Sequence, residues 1–231
     1  MSDSSIAAMF NRISPKYDRL NHLLSFNIDK TWRRKTAKMV AKSQPKTILD
    51  LATGTADLAI ALAKFNPQAH VIGIDISEKM LEIGKAKVTQ KKLDHQIELR
   101  IGDVVALPFE DDTFDAVTVA FGVRNFENLE KGLSEISRVL KSGGQAVILE
   151  FSMPTKPLVS QAYRLYFKHL LPKIGKWISK EPNAYDYLPE SVERFPKPQY
   201  FLEKLSQHNL CNGSSQPLTF GIATLYTIVK A

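Results

Sequence analysis

The sequence predicts an α/β protein built on a doubly wound, mostly parallel sheet, and two observations carry that prediction. Short apolar runs alternate with amphipathic segments from Lys46 to Phe151, the pattern of repeated βαβ units. Aspartates stand at or just past the carboxyl ends of the first three runs, where such a sheet places its ligand crevice.

Thr47–Leu51 is the first run and leads into a glycine turn, after which Leu58, Ala61, Leu62 and Phe65 share a helical face over Asp57–Phe65. Val71–Asp75 is the second run, followed by Ser77 as N-cap of a helix through Met80, Leu81, Ile83 and Val88. Ile97–Ile101 and Phe114–Phe121 are the third and fourth. Leu129–Leu140 reads as a helix ended by Gly143-Gly144, and Ala146–Phe151 as the fifth strand. Beyond Phe195, Phe201, Leu202 and Leu205 predict a helix. Leu218–Val229 predicts a hairpin with Gly213 in its turn, an antiparallel addition to the parallel sheet.

The 231 residues, 44% hydrophobic and 24% charged, match a globular protein with a sizeable core and argue against a disordered or fibrous chain. One cysteine, Cys211, allows neither an internal disulfide nor a cysteine-based zinc site and fits a reducing compartment. The opening Met-Ser-Asp-Ser-Ser has no basic-then-apolar leader, and no window approaches a spanning helix, so a cytoplasmic location is expected. The formal charge of +7 is concentrated. Residues 1–46 hold ten Lys/Arg against Asp3, Asp18 and Asp29, residues 156–180 hold six against none, and the remainder is net acidic. An anionic surface would therefore be met by those two segments.

Asp75 at the tip of the second run suits the two hydroxyls of a ribose, because a carboxylate accepts two O–H donors. A nucleoside-bearing cofactor follows. A pyrophosphate loop requires Gly-x-Gly-x-x-Gly, yet Gly54 is the one glycine between Asp50 and Gly73. Asp50 beside that loop suits a cationic methionine ammonium or sulfonium better. A strand-terminal aspartate is often only a turn or helix cap, and for Asp50 or Asp103 singly that reading is about as good; three at successive strand ends are harder to set aside.

Asp50-Leu-Ala-Thr-Gly54-Thr55-Ala56-Asp57, Asp75, Gly102-Asp103-Val104 through Leu107-Pro108-Phe109, and Phe114-Asp115 together resemble the class I, Rossmann-like S-adenosylmethionine-dependent methyltransferases. Tyr17-Asp18-Arg19-Leu20-Asn21-His22-Leu23-Leu24-Ser25 with Trp32, Phe121-Gly122-Val123-Arg124-Asn125, Arg138-Val-Leu-Lys141-Ser142-Gly143-Gly144 through Glu150-Phe151-Ser152, and Tyr185–Val192 with Phe195-Pro196 are similar to the ubiquinone/menaquinone biosynthesis C-methyltransferases over nearly the whole chain. Ala56, Leu20, Asp29 and Ser142 stand where that family often has glycine, methionine, histidine and proline. Ala56 matters most, since its methyl would crowd a backbone of positive φ near a ligand while suiting a first helical turn. The Gly-Thr-Ala-Asp loop is more similar to menaquinone-pathway members.

The resemblance implies one methyltransferase domain over 1–231, with a helical cap (1–45), a cofactor-binding core (46–152), a helical lid (153–196) and a C-terminal helix and hairpin (197–231). It implies S-adenosylmethionine as cofactor, with Thr55 by the methionine portion, Asp75 on the ribose, Asp103 and Val104 at the adenine edge, and Asp50 and Gly54 shaping the pocket. The reaction implied is C-methylation of demethylmenaquinol, the last step of menaquinone formation, with no metal; a dual ubiquinone/menaquinone enzyme and a non-catalytic cofactor-binding protein are the alternatives. Arg124 and Asn125 follow the fourth strand, where the acceptor is expected. An arginine is a poor base, so Arg124 is assigned to stabilising a phenolate or positioning water, with a structural ion pair as the plain alternative. Tyr17, Tyr185 and His22 are further acceptor-side candidates.

Residues 156–180 place Leu158, Tyr163, Phe167, Leu170, Leu171, Ile174 and Trp177 among the six cations, the composition of an interfacial segment able to meet an anionic membrane at the inner face of the cell membrane. A core or subunit-interface role, including a homo-oligomer, explains the same face equally well. A nucleic-acid partner is not expected, because the Asp/Asn-Pro-Pro-aromatic string of amino-methylating enzymes is replaced by Ala120-Phe121-Gly122-Val123. A dinucleotide-binding protein lacks its glycines.

Overall fold

The computed structural model describes residues 6–165 and 187–231. Two helices, α1 (Ile6–Leu24) and α2 (Ile28–Val40), precede the alternating core β1 (Thr47–Leu51), α3 (Asp57–Phe65), β2 (His70–Asp75), α4 (Glu78–Gln90), β3 (Ile97–Ile101), β4 (Phe114–Ala120), α5 (Leu129–Val139) and β5 (Leu140–Phe151). Then come α6 (Pro157–Leu165), α7 (Tyr187–Arg194), α8 (Pro198–Gln207), β6 (Leu210–Leu218) and β7 (Ala223–Lys230).

The sheet order is β3-β2-β1-β4-β5-β7-β6. β1 pairs in parallel with both β2 and β4, so the winding direction reverses between β1 and β4 and opens the crevice above their carboxyl ends. β7 runs antiparallel to β5 and β6, as the expected C-terminal addition. Strand side chains alternate between two cores. Ile48, Val147 and Leu225 pack with α2 and α3 on one face, while Leu49, Ile148 and Tyr226 pack with α5 and α8 on the other. Ser77 caps α4 as expected, its Oγ accepting from the Met80 N–H at 3.3 Å, and Asn128 caps α5 through Lys131 at 3.0 Å.

Two expectations are corrected. α5 ends at Val139, not at the glycine pair, because Leu140 is already extended and pairs with Phe114. Gly143 (φ +75°) instead lies in an irregularity of β5, and the Lys141 Nζ–Asp115 Oδ1 contact at 2.7 Å ties that irregularity to β4. Gly213 lies within β6, where a Cβ would come within 2.8 Å of Leu202 on α8. The hairpin turn is Thr219–Gly221, with Phe220 and Gly221 at φ 60° and 91°. No helix among the described residues is long and apolar enough to cross a membrane.

Candidate active site

The β1–α3 loop turns sharply. Ala52, Gly54 and Ala56 all adopt positive φ (51°, 55° and 65°), and the loop is tied to β2 by Thr53 N–H donating to the Ile74 carbonyl at 3.0 Å. A Cβ on Gly54 would meet nothing within 4 Å, so this glycine leaves open space beside the loop. Asp75 closes β2, its Oδ2 accepting from Gly54 N–H (2.8 Å) and its Oδ1 from Ser77 N–H (2.9 Å). Burial raises its pKa against the pull of those amides.

A cavity of about 490 Å³ opens over these groups. Its lining includes Gly54, Asp75, Asp103 and Val104 at the strand ends, together with Phe10 and Tyr17 of α1, Phe121, Asn125 and Glu127. Among the described residues that line it, Asp75, Asp103 and Glu127 are carboxylates and none is Lys or Arg. Each Asp75 oxygen keeps a lone pair beyond its backbone bond for a hydroxyl donor. The donor set therefore fits a ribose attached to a cationic group and does not fit a pyrophosphate, which needs amides and cations.

A model of the ubiE/COQ5 methyltransferase family matches residues 1–230. The chain belongs to the ubiE/COQ5 methyltransferase family. Relatives of this family member include the demethylmenaquinone methyltransferase of Bacteroides fragilis, 44% identical over 97% of this chain and 92% of that one. The ubiquinone/menaquinone biosynthesis C-methyltransferase UbiE of Geobacter sulfurreducens is 44% identical over 96% of this chain and 87% of its own. The fold is shared with a solved SAM-dependent methyltransferase from Aquifex aeolicus at a TM-score of 0.60 and 19% identity, covering 80% and 82% of the two chains.

In this ubiE/COQ5 family member, with His22 and Tyr185 set aside, six of the nine residues singled out from sequence line the cavity: Gly54, Asp75, Asp103, Val104, Asn125 and Tyr17. The other three sit behind it. Asp50 is buried beneath the loop, accepting from Thr118 Oγ1 (2.6 Å) and Thr53 Oγ1 (2.7 Å). Thr55 donates to Asp18 Oδ1 at 2.5 Å. Arg124 has its side chain 6% exposed; its Nη1 donates to Glu150 Oε1 (2.7 Å) and to the Phe121 carbonyl (2.5 Å), and its Nε to Ser191 Oγ (3.3 Å). Ala56 points its buried methyl toward Gly84 of α4 and is absent from the cavity lining.

His22 does not line the cavity; it bridges Asp29 at 2.8 Å and Asp57 at 3.6 Å, and Arg33 and Lys87 pair with those carboxylates. Tyr185 and the stretch 166–180 lie outside the described residues. Sequence reasoning did not single out Phe10 or Glu127. Phe10 carries a signal, its seven-residue spacing from Tyr17 on one helical face, whereas Glu127 carries none beyond following Asn125.

Burial lifts the Asp50 carboxyl to about 6, which carries a pH signature. A folded pKa above the unfolded value of 3.8 favours the native state fully below pH 4, and that contribution is lost as pH rises through 6. The shift corresponds to at most about 3 kcal/mol. Asp50→Asn, which stays neutral, is expected to gain stability relative to the parent between pH 4 and pH 7 in paired thermal melts. A constant difference across that range would contradict the burial account.

Proposed function

We propose that this protein transfers the methyl group of S-adenosylmethionine to a ring carbon of demethylmenaquinol, forming menaquinol. The observation that carries the reading is the cavity lining, whose described residues include three carboxylates and no Lys or Arg, which suits a positively charged donor; the relatives' names point to the quinol. Bound there, the donor supplies an electrophilic methyl on sulfur. Asp75 holds the ribose hydroxyls, Asp103 and the Val104 backbone meet the adenine edge, and Gly54 keeps the loop open for the methionine portion.

A quinol carbon becomes nucleophilic as its neighbouring hydroxyl loses a proton, so the acceptor wall must orient that hydroxyl and exclude water. Tyr17, Asn125 and Glu127 supply polar groups on that wall. Arg124, neutralised by Glu150, acts one layer back: its bond to the Phe121 carbonyl fixes the Phe121–Asn125 turn that carries Asn125. Asn125→Ala is expected to lower kcat by about 10- to 100-fold, the loss of one or two well-placed hydrogen bonds, with donor affinity within about twofold. Steady-state kinetics with calorimetric titration checks this, and equal loss in both quantities would remove Asn125 from the acceptor wall.

Residues 153–196 are read as the lid that meets the acceptor's lipid tail at an anionic membrane. Leu158 and Leu165, seven residues apart on α6, are 81% and 58% exposed while Tyr163 is buried, which supports an apolar outward face. Co-flotation with anionic vesicles that weakens in high salt is expected; no flotation at any salt would eliminate the membrane reading. Acceptor choice is tested by offering reduced demethylated naphthoquinone and benzoquinone together with the methyl donor. Methylation of the naphthoquinol alone fits the menaquinone reading, and methylation of both makes the enzyme dual.

A further inference from the structure

We infer that Asn11 and Asp18 of α1 are positioning residues that make closure of the acceptor wall depend on a bound donor. The inference rests on the donor reading of the cavity. Phe10 and Tyr17 line the cavity and meet edge to face with centroids 6.0 Å apart. The residue after each is an anchor. Asn11 Oδ1 accepts from Ser77 Oγ at 2.7 Å and from Lys79 N–H at 3.3 Å. Asp18 accepts from Thr55 Oγ1 at 2.5 Å through Oδ1 and from Lys87 Nζ at 2.8 Å through Oδ2.

The repeat is geometric. Seven residues of α-helix advance about 10.5 Å and return to nearly the same face. The Lys79-to-Lys87 span of α4 is about 12 Å on the same rise, so α1 lies parallel to α4, pinned near both its ends. Ile13, Leu20 and Met80 also share an apolar cluster here, but apolar packing would not by itself fix the height of α1 along α4.

Each anchor also sits one step from the cofactor. Ser77, which donates to Asn11 through its hydroxyl, donates through its backbone N–H to Asp75 Oδ1. Thr55, which donates to Asp18, follows Gly54, whose N–H donates to Asp75 Oδ2. The two amides that hold the ribose carboxylate thus belong to, or adjoin, the two residues that hold α1. A donor that orders Asp75 and the β1–α3 loop orders both anchor sites, and α1 brings Phe10 and Tyr17 to the acceptor side. By linkage, whatever factor donor binding contributes to seating α1, seating α1 contributes to donor affinity.

The test uses the full chain and S-adenosylhomocysteine, the demethylated form of the donor, so it does not depend on any acceptor. Hydrogen exchange of residues 6–24 is followed with and without saturating ligand, and affinity is measured by calorimetry for the parent, Asn11→Ala, Asp18→Ala and the conservative Asn11→Asp. In the parent, α1 exchange slows about tenfold on binding, inside the usual range for coupled sites. Both alanine variants lose that response and bind the ligand about tenfold more weakly. Asn11→Asp, which keeps an acceptor oxygen, retains both. In turnover the alanine variants raise the acceptor KM about tenfold with kcat within about twofold.

Exchange of α1 that does not respond to bound ligand in the parent overturns the inference, as does unchanged ligand affinity in both alanine variants. If a variant fails to fold, the parent's exchange response decides alone. Absence of ligand binding to the parent would remove the donor reading and the inference with it, whereas binding without α1 protection removes only the coupling.

Discussion

Replacing Asp75 by alanine is expected to weaken donor binding at least about 100-fold, the largest functional effect of any single substitution considered. Two hydroxyl bonds to a buried carboxylate contribute roughly 1.5–3 kcal/mol each, and tenfold in affinity is about 1.4 kcal/mol. The same change also releases the N–H groups of Gly54 and Ser77, so the loop that frames the cavity loses one of its ties to β2 while the Thr53–Ile74 backbone bond remains. Asp75→Asn keeps one acceptor oxygen and should fall between the alanine variant and the parent. Calorimetry separates the two causes, because loss of the ribose contacts appears in the donor Kd and loop loosening in the melting temperature. An Asp75→Ala protein that binds donor within fivefold of the parent would put the ribose elsewhere.

Glu150→Ala carries the largest expected effect on stability. Glu150 is fully buried at the end of β5 and accepts from the Arg124 guanidinium (2.7 Å), the Arg124 N–H (3.2 Å) and the Phe151 N–H (2.7 Å). Truncation strands a buried guanidinium and two amides. Breaking a buried ion pair from one side costs about 3–5 kcal/mol, and at about 2–4 °C per kcal/mol for a chain of this size the melting temperature should drop by roughly 6–20 °C. Glu150→Gln, which keeps an acceptor, should lose less than half of that. Turnover measured well below the melting point should still fall, because Arg124 would no longer be held on the Phe121 carbonyl. A melting temperature within 2 °C of the parent would mean that the pair is not a structural bond.

The parallel core was legible because its signals are local. Thr47–Leu51, Val71–Asp75 and Ile97–Ile101 are short apolar runs bounded by turn residues, and the helix-start signal at Ser77 depends on one side chain and a backbone N–H three residues on. The errors came where a local signal had two meanings. Gly143-Gly144 has the look of a helix stop, yet the extended Leu140 pairing with Phe114 had already ended α5, a contact across 26 residues. Gly213 has the look of a turn residue, but its lack of a Cβ serves the approach of Leu202.

The cavity lining was largely legible, since Gly54, Asp75, Asp103 and Val104 belong to strand ends that topology brings together. Pairings between distant residues were not. Nothing in the sequence links Arg124 to Glu150, Thr55 to Asp18, or Asn11 to Ser77, and each of these bonds turns a residue away from the cavity or fixes one that lines it.

The claim at the centre of this account is that the carboxylate-walled cavity delivers a methyl group to a reduced naphthoquinone. The most direct measurement incubates the purified protein with S-adenosylmethionine carrying a deuterated methyl group and chemically reduced demethylmenaquinone in detergent, with the Asp75→Ala protein in parallel, and follows the quinone by mass spectrometry. The account predicts one deuterated methyl per quinone, on a ring carbon, formed by the parent and reduced at least about 100-fold in the variant at subsaturating donor. A donor that binds the cavity while the quinone stays unlabelled, or label that enters equally with and without Asp75, would contradict it.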